Sequence, residues 1–256
     1  MATLYGTQTD GTLIPVQADS QGRLVAELAG VDQSVVGDLL VTGDVQMSSL
    51  NGGALGGFRN WVINGHFTIN QRGGDKRPPL GDFGFDRWKG VPGGLEQTIE
   101  ALPAGRYTLS WTGGGMASIG GITAPSAFVV DLPGGDTSLI VPDTADYVQL
   151  EPGAVHTPFE HRSIPTELAL CKRYYQHFGT LRMSGALTTK RTQQSILLPV
   201  EMRSTPTINS SPNHGTSHSI AGNTYSLILV GMAEDNKPDT NNQYISWDNV
   251  TADAEF

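Results

Sequence analysis

Apolar and polar positions alternate in short runs through most of this chain, and each run is cut off by turn formers. "GLEQTIEAL", "GRYTLSWTG", "SAFVVDL", "TSLIVP" and "DYVQLE" read as strand-like runs. Clusters such as "PGG", "PAG", "GGG" and "LPGGD" separate them. Strands therefore recur about every 10–14 residues, the rhythm of a β-sandwich or jelly roll. Upstream, Trp61, Ile63, Phe67 and Ile69 alternate on either side of Asn64-Gly65, a turn pair. The pattern returns near the C-terminal end in "LRMSGALT", "TQQSILLPVEM", "TPTINSS", "HSIAGNTYSLILVGM" and "NQYISWDNVTADAEF". Within these, "TYSLILVGM" is the most apolar run and is expected to be a central strand.

One window breaks the rhythm. "TPFEHRSIPTELALCKRYYQHFG" spaces Leu168, Cys171, Tyr175 and Phe178 on one helical face and predicts a helix over 163–179. Pro165 suits a first turn, Ser163 or Thr166 can cap it, and Gly179 can stop it. Glu167 stands toward the positive end, Lys172 and Arg173 toward the negative. This geometry points Cys171 into the packed face, where a lone thiol behaves as a small hydrophobe.

The N-terminal stretch reads differently. In residues 1–30 the turn signals Asp10-Gly11 and Gln21-Gly22 separate "TLIPV" from "RLVAEL", a small β-meander too short to bury its own core. In residues 31–56, Gly37-Asp38 and Gly43-Asp44 repeat six residues apart with single apolar residues between. Such a repeat buries nothing alone. It is either a linker or a stem that several copies wind around a common axis.

Composition narrows the function. Charged residues are 16% of the chain, against about 25% in soluble domains. The net charge of −9 is spread without a Lys/Arg cluster, which removes the electrostatic footprint for nucleic acid. A single cysteine excludes an internal disulfide framework and a multi-thiolate metal site. The beginning of the chain shows no basic and apolar leader, and no run approaches the ~18 apolar residues of a membrane span. The expectation is a soluble product made in a cytoplasm, with no membrane insertion.

Chemistry-bearing motifs are few. "GGGMASIGG" lacks the spacing of a phosphate loop and reads as a loop. There is no HExxH and no GxSxG, and neither His156 with His161 nor His214 with His218 completes a metal site alone. The sequence thus assigns no catalytic, cofactor or metal residues and no enzymatic activity. Aromatic residues near turns are the better lead, because a flat ring stacks on a sugar face. Trp61, Trp88 and Trp111 read as core. Tyr244 and Trp247, set among polar residues in "NQYISWDN", are the candidate glycan-binding residues.

Four separated motifs resemble one family. "NWVINGHFTINQRG" resembles the opening of a domain found in bacteriophage tail fibre proteins, and "VQLEPGAVHTPFEHRSIPTELALCKRYYQ" resembles the segment that closes it. "LPVEMRSTPTI" and the final "DNVTADAEF" are similar to that family's last domain. "YGTQTDGTLIPVQADSQGRL" is similar to the start of short fibre proteins of cyanobacterial phages. The resemblance implies a homotrimeric virion protein of mainly β class. Residues 1–30 would form a virion-docking segment, 31–56 a trimeric stem or linker, 57–162 a carbohydrate-binding-module-like jelly roll, and 163–256 one helix plus a C-terminal β-sandwich tip. The implied partners are other copies of the chain, tail or baseplate proteins through residues 1–56, and host surface polysaccharide. The alternatives are a baseplate, collar or capsid-decorating fibre that touches no receptor, and a polysaccharide depolymerase.

Overall fold

The computed structural model describes residues 58–184, 192–214, 216–232 and 244–256, together with the backbone of three strands nearer the N-terminus. The chain divides into two compact units, Met1–Gln46 and Met47–Phe256. In the first, β1 (Leu4–Thr7), β2 (Leu13–Ala18) and β3 (Leu24–Val25) form an antiparallel sheet in that order. Asp10-Gly11 and Gln21-Gly22 fall between these strands. The stem expected over 31–56 lies outside the described residues.

The second unit is mainly β, with one helix among the described residues. Its first part contains β4 (Lys89–Val91), β5 (Gly94–Leu102), β6 (Gly105–Thr112), β7 (Met116–Ile119), β8 (Ile122–Pro125), β9 (Phe128–Leu132), β10 (Gly135–Val141) and β11 (Asp146–Pro152). They form two antiparallel sheets, in orders β4-β5-β10-β7-β8 and β11-β6-β9. Both sheets contribute to one core, from Leu95, Ile99, Leu139 and Val141 on one side to Leu109, Trp111, Val130 and Leu150 on the other. Burial alternates along β5, where Leu95, Gln97 and Ile99 point in. At its end Ala101 takes φ +47 and the pairing with β10 shifts between Gly135 and Thr137. That irregularity turns Leu102 into the core. The glycine-rich stretch at 113–121, expected to be all loop, contains β7.

The turn expected at Asn64-Gly65 forms, with the Phe67 amide donating to the Asn64 carbonyl at 3.0 Å, but the alternating residues on either side of it are not strands. Between residues 58 and 88 the pairing amounts to two isolated bridges, Leu80 with Gly90 and Phe83 with Lys89. Buried asparagines take over the work of a ladder. Asn60 accepts from the amides of Val62 (2.9 Å) and Leu150 (3.1 Å) and donates to the carbonyl of Val148 (3.1 Å). Asn64, with φ +57, accepts from the amides of Thr68 and Ile69 and donates to the carbonyls of Ile69 and Asp86. Short amide side chains compete with sheet pairing in this way.

The helix, α1 (Ile164–Lys172), is shorter than its apolar spacing predicts. Ser163 occupies the N-cap position without a side-chain cap, and Pro165 lies in the first turn. The last turn tightens, with the amides of Arg173 and Tyr174 donating to the carbonyls of Leu170 and Cys171. Tyr175 and Phe178 belong instead to β12 (Tyr175–Ser184), and Gly179, at φ +65, marks a register irregularity within that strand. The remaining strands are β13 (Thr192–Leu197), β14 (Thr207–His214), β15 (Thr216–Gly222), β16 (Ser226–Met232) and β17 (Tyr244–Asp253). They pair as β12-β17-β14 and β13-β16-β15, so the most apolar run is indeed central. Met183, Leu227, Leu229, Ile245, Trp247 and Val250 form their core. The division expected at 162/163 separates two cores inside one compact unit.

Between those cores lies a joint built from cations and rings. Arg72 pairs with Asp253 at 2.9 Å and lies 3.6 Å from the ring centre of Tyr175. Arg87 pairs with Glu255, donates to the carbonyl of Thr98 at 2.7 Å and covers the Tyr174 ring at 3.5 Å. Arg203 donates to Glu100 at 2.7 Å and covers Phe256 at 3.6 Å. Gln71 bonds both Asp86 (2.8 Å from its amide) and the carbonyl of Tyr175 (2.9 Å). Burial raises Glu255 and Asp86 from their ordinary values. Burial also works upward on Glu100, but bonds from Tyr174 and Arg203, with the charges of Arg203 and Arg173, bring it below its ordinary value.

Candidate functional site

A cleft opens where the segment 60–68 meets the segment 159–167. Its walls include His66, Thr68, Phe159, His161 and Ile164, and Asn60, Asn64, Glu160, Arg162 and Glu167 also line it. Its volume is about 130 Å³, below the ~300 Å³ at which pockets for drug-sized ligands begin. It is a shallow surface site.

Three local features place the rings. Gly65 passes so close to β11 that a Cβ there would stand 2.2 Å from the Val148 carbonyl oxygen, and the Val148 amide donates to the Gly65 carbonyl at 2.8 Å. That contact anchors His66. On β11 the pairing with β6 shifts between Asp146 and Gln149, and Tyr147 takes φ +52, an uncommon conformation for a ring-bearing residue. The bulge delivers Asp146 and Tyr147 to His66. The Asp146 carboxylate accepts from its neighbour's amide at 2.9 Å and stands 3.0 Å from His66 Nδ1. The third feature is a knot of side chains that fixes 157–162. Glu151, fully buried, accepts from the Thr157 amide (2.8 Å) and hydroxyl (2.6 Å) and pairs with Arg59 at 3.1 Å. Gln149 accepts from the Glu160 amide at 2.8 Å, and Glu160 accepts from the amides of Phe58 and Asn60.

The result is a compact group of four rings. His66 stacks on Tyr147 with centroids 4.0 Å apart. Phe159 meets Tyr147 edge-on at 5.3 Å and His161 at 5.1 Å. His161 is exposed, while His66, Tyr147 and Phe159 are half-buried. Behind the rings Arg162 is held between Glu160 and Glu167, and Glu167 accepts from the Asn64 amide. If His66 Nδ1 carries the proton toward Asp146, its Nε2 is left as an acceptor. The cleft thus offers ring faces, two imidazoles and the Thr68 hydroxyl side by side.

The residues singled out from the sequence lie elsewhere. Trp247 is 1% exposed and sits in the C-terminal core, so its indole presents no face to a sugar. Alternation along β17 decides this, since Ile245 and Trp247 share the inward face. Tyr244 is half-buried with the Arg182 guanidinium 4.2 Å from its ring centre. Trp88 and Trp111 are core residues, and Trp61 packs against the same core. Cys171 is fully buried, and burial holds its thiol well above the usual range, an effect the neighbouring carboxylates reinforce. His161 joins His66, whereas His156 is exposed. Among the described residues no group of three or more His, Cys, Asp or Glu is arranged to hold a metal ion. His66, Tyr147 and Phe159 escaped the sequence reading. The one available signal was the density of ring residues in "HTPFEH", which without the fold has no partner.

Other depressions offer less. One, about 530 Å³, is an open groove lined by Arg72, Asp75, Asp82, Asp253, two prolines and Phe83, and its arginine is already paired. Among the described residues no helix is long and apolar enough to cross a membrane. Comparison with known proteins finds no matching family model, curated protein or solved structure.

Proposed function

We propose that this chain is a virion fibre protein: a homotrimer, docked to tail or baseplate through residues 1–56, that attaches the particle to host envelope glycan. On this reading residues 57–162 are a jelly roll and 163–256 a tip domain. What carries the reading is how the four motifs of the resemblance come together. Asn60, Asn64, Gln71 and Arg72 of the first motif bond to Glu160, Glu167 and Tyr175 of the second and to Asp253 of the last. Arg203 of the third bonds the carbonyl of Ala254. Motifs far apart in sequence thus form one interlocked body plan, as expected if they descend together. The two sheets that share one core support the jelly-roll assignment. Attachment would be multivalent: three shallow sites per fibre and several fibres per particle give avidity without a deep pocket.

Light scattering behind size exclusion tests the assembly, and blocking of phage adsorption by the purified chain tests attachment. A mass near three times the 27.3 kDa chain, stable on dilution, with loss of adsorption, is expected. A monomer that leaves adsorption unchanged overturns the proposal. The burial of Trp247 favours one second reading, a decorating fibre without a receptor, because it removes the aromatic platform the sequence suggested. A trimer that never binds cells would establish it.

A further inference from the structure

We propose that the cleft between residues 60–68 and 159–167 binds a neutral pyranoside, with Phe159 and His161 as the stacking rings and His66 as a hydroxyl acceptor. The inference deepens the attachment reading and rests on it for its biological meaning.

Three observations converge on the cleft. The first is ring chemistry. A pyranose has an apolar C–H face and a rim of hydroxyls, each both donor and acceptor. Here half-buried and exposed rings stand beside imidazoles and a hydroxyl that can answer in either sense. Apolar surface borders the site as well: Ile164 on its wall is 55% exposed, and Phe58, whose amide is held by Glu160, is 69% exposed.

The second is an unusual backbone. Tyr147 sits at φ +52 on a bulge of an otherwise regular strand. Strained backbone that persists is over-determined by its surroundings and clusters at binding sites. Here it brings Asp146 to His66, and that carboxylate orients the imidazole.

The third is charge. Among the described residues Glu160 and Glu167 hold the one cation lining the cleft, Arg162, and Asp146 stands against His66. The carboxylates at the site outnumber its arginine, within a chain of net charge −9. Uronic, sialic and phosphorylated sugars are repelled. Neutral hexoses are not.

Saturation-transfer NMR on the full-length chain tests this, with the methyl pyranosides of glucose, galactose and mannose as probes and glucuronate as acidic comparator. At least one neutral pyranoside is expected to receive saturation and glucuronate none. Phe159→Ala and His161→Ala should weaken that binding by about tenfold. His161 is exposed, so its variant folds even if Phe159→Ala does not. The proposal is overturned if none of the neutral probes binds, if glucuronate binds equally well, or if His161→Ala and Phe159→Ala bind like the parent. Cell adsorption separates this failure from that of the attachment reading. Parent and both variants adsorbing equally to host cells would sink the cleft and leave attachment standing. A parent that binds pyranoside and not cells would do the reverse.

Discussion

Replacing Asn64 by alanine tests the claim that buried amide side chains, rather than strand pairing, hold the segment 58–88. Asn64 is 1% exposed and its side chain makes four bonds: 2.9 Å from each of the amides of Thr68 and Ile69, 2.8 Å to the carbonyl of Ile69 and 3.0 Å to that of Asp86. Thr68 is exposed, so water can replace its partner. The Ile69 amide and the Asp86 carbonyl are buried, and each costs ~1–3 kcal/mol when stranded, whereas the Ile69 carbonyl keeps the Asp86 amide at 3.2 Å. Alanine at φ +57 adds about 1 kcal/mol, which asparagine largely avoids. The lower bounds sum to about 3 kcal/mol, a large share of the ~5–15 kcal/mol that stabilises a typical domain. Urea unfolding followed by tryptophan fluorescence is the assay. The Trp88 indole donates to the Asn64 carbonyl at 2.9 Å and stacks on Phe67, so it reports locally. Asn64→Gly removes the same bonds without the backbone cost and should recover about 1 kcal/mol relative to alanine. An alanine variant within about 1 kcal/mol of the parent, or a glycine variant no more stable than it, would refute the reasoning.

Three further outcomes follow from the same structure. Glu100 ionises more readily folded than unfolded, so its contribution is present above its ordinary value of 4.5 and is lost as pH falls through the lower folded value. Glu100→Gln should therefore flatten the acid limb of a stability–pH curve, and an unchanged limb would count against the Arg203 pairing. Trp247→Ala should cost about 3–5 kcal/mol by cavity formation, measured by urea midpoint. A stable variant that loses only cell binding would return Trp247 to the surface. Cys171 should resist a thiol reagent in native buffer and react stoichiometrically in denaturant. Rapid native labelling would show that α1 opens.

The joint gives those perturbations a common context. Arg72, Arg87 and Arg203 each combine a carboxylate partner with an aromatic face, and each reaches from one part of the unit to another. A planar, weakly hydrated guanidinium can do both at once, which an ammonium cannot. "RYY" and "ADAEF" are sockets for these cations. Their chemistry is spent on holding the architecture.

Much of the β framework was legible because it is local. β5, β6, β9, β10, β11 and β17 were written as short strand-like runs between turn residues, and β16 was marked as central by its apolar run. Local signals failed where distant partners compete. The turn at Asn64-Gly65 was legible, but Asn64 bonds Asp86 and Ile69 and the alternating residues around it do not become strands. A helical spacing through Tyr175 and Phe178 is real in the sequence. Pairing with β17 and the cation over the Tyr175 ring take those residues into a strand. The candidate site was beyond the sequence for the same reason. His66, Asp146, Tyr147, Phe159 and His161 come from three segments, and what joins them is a bulge, a backbone contact at Gly65 and a knot around Glu151. Periodicity records which face of an element is buried. Which elements meet, and therefore which side chains share a cleft, is settled only by packing across long stretches of chain.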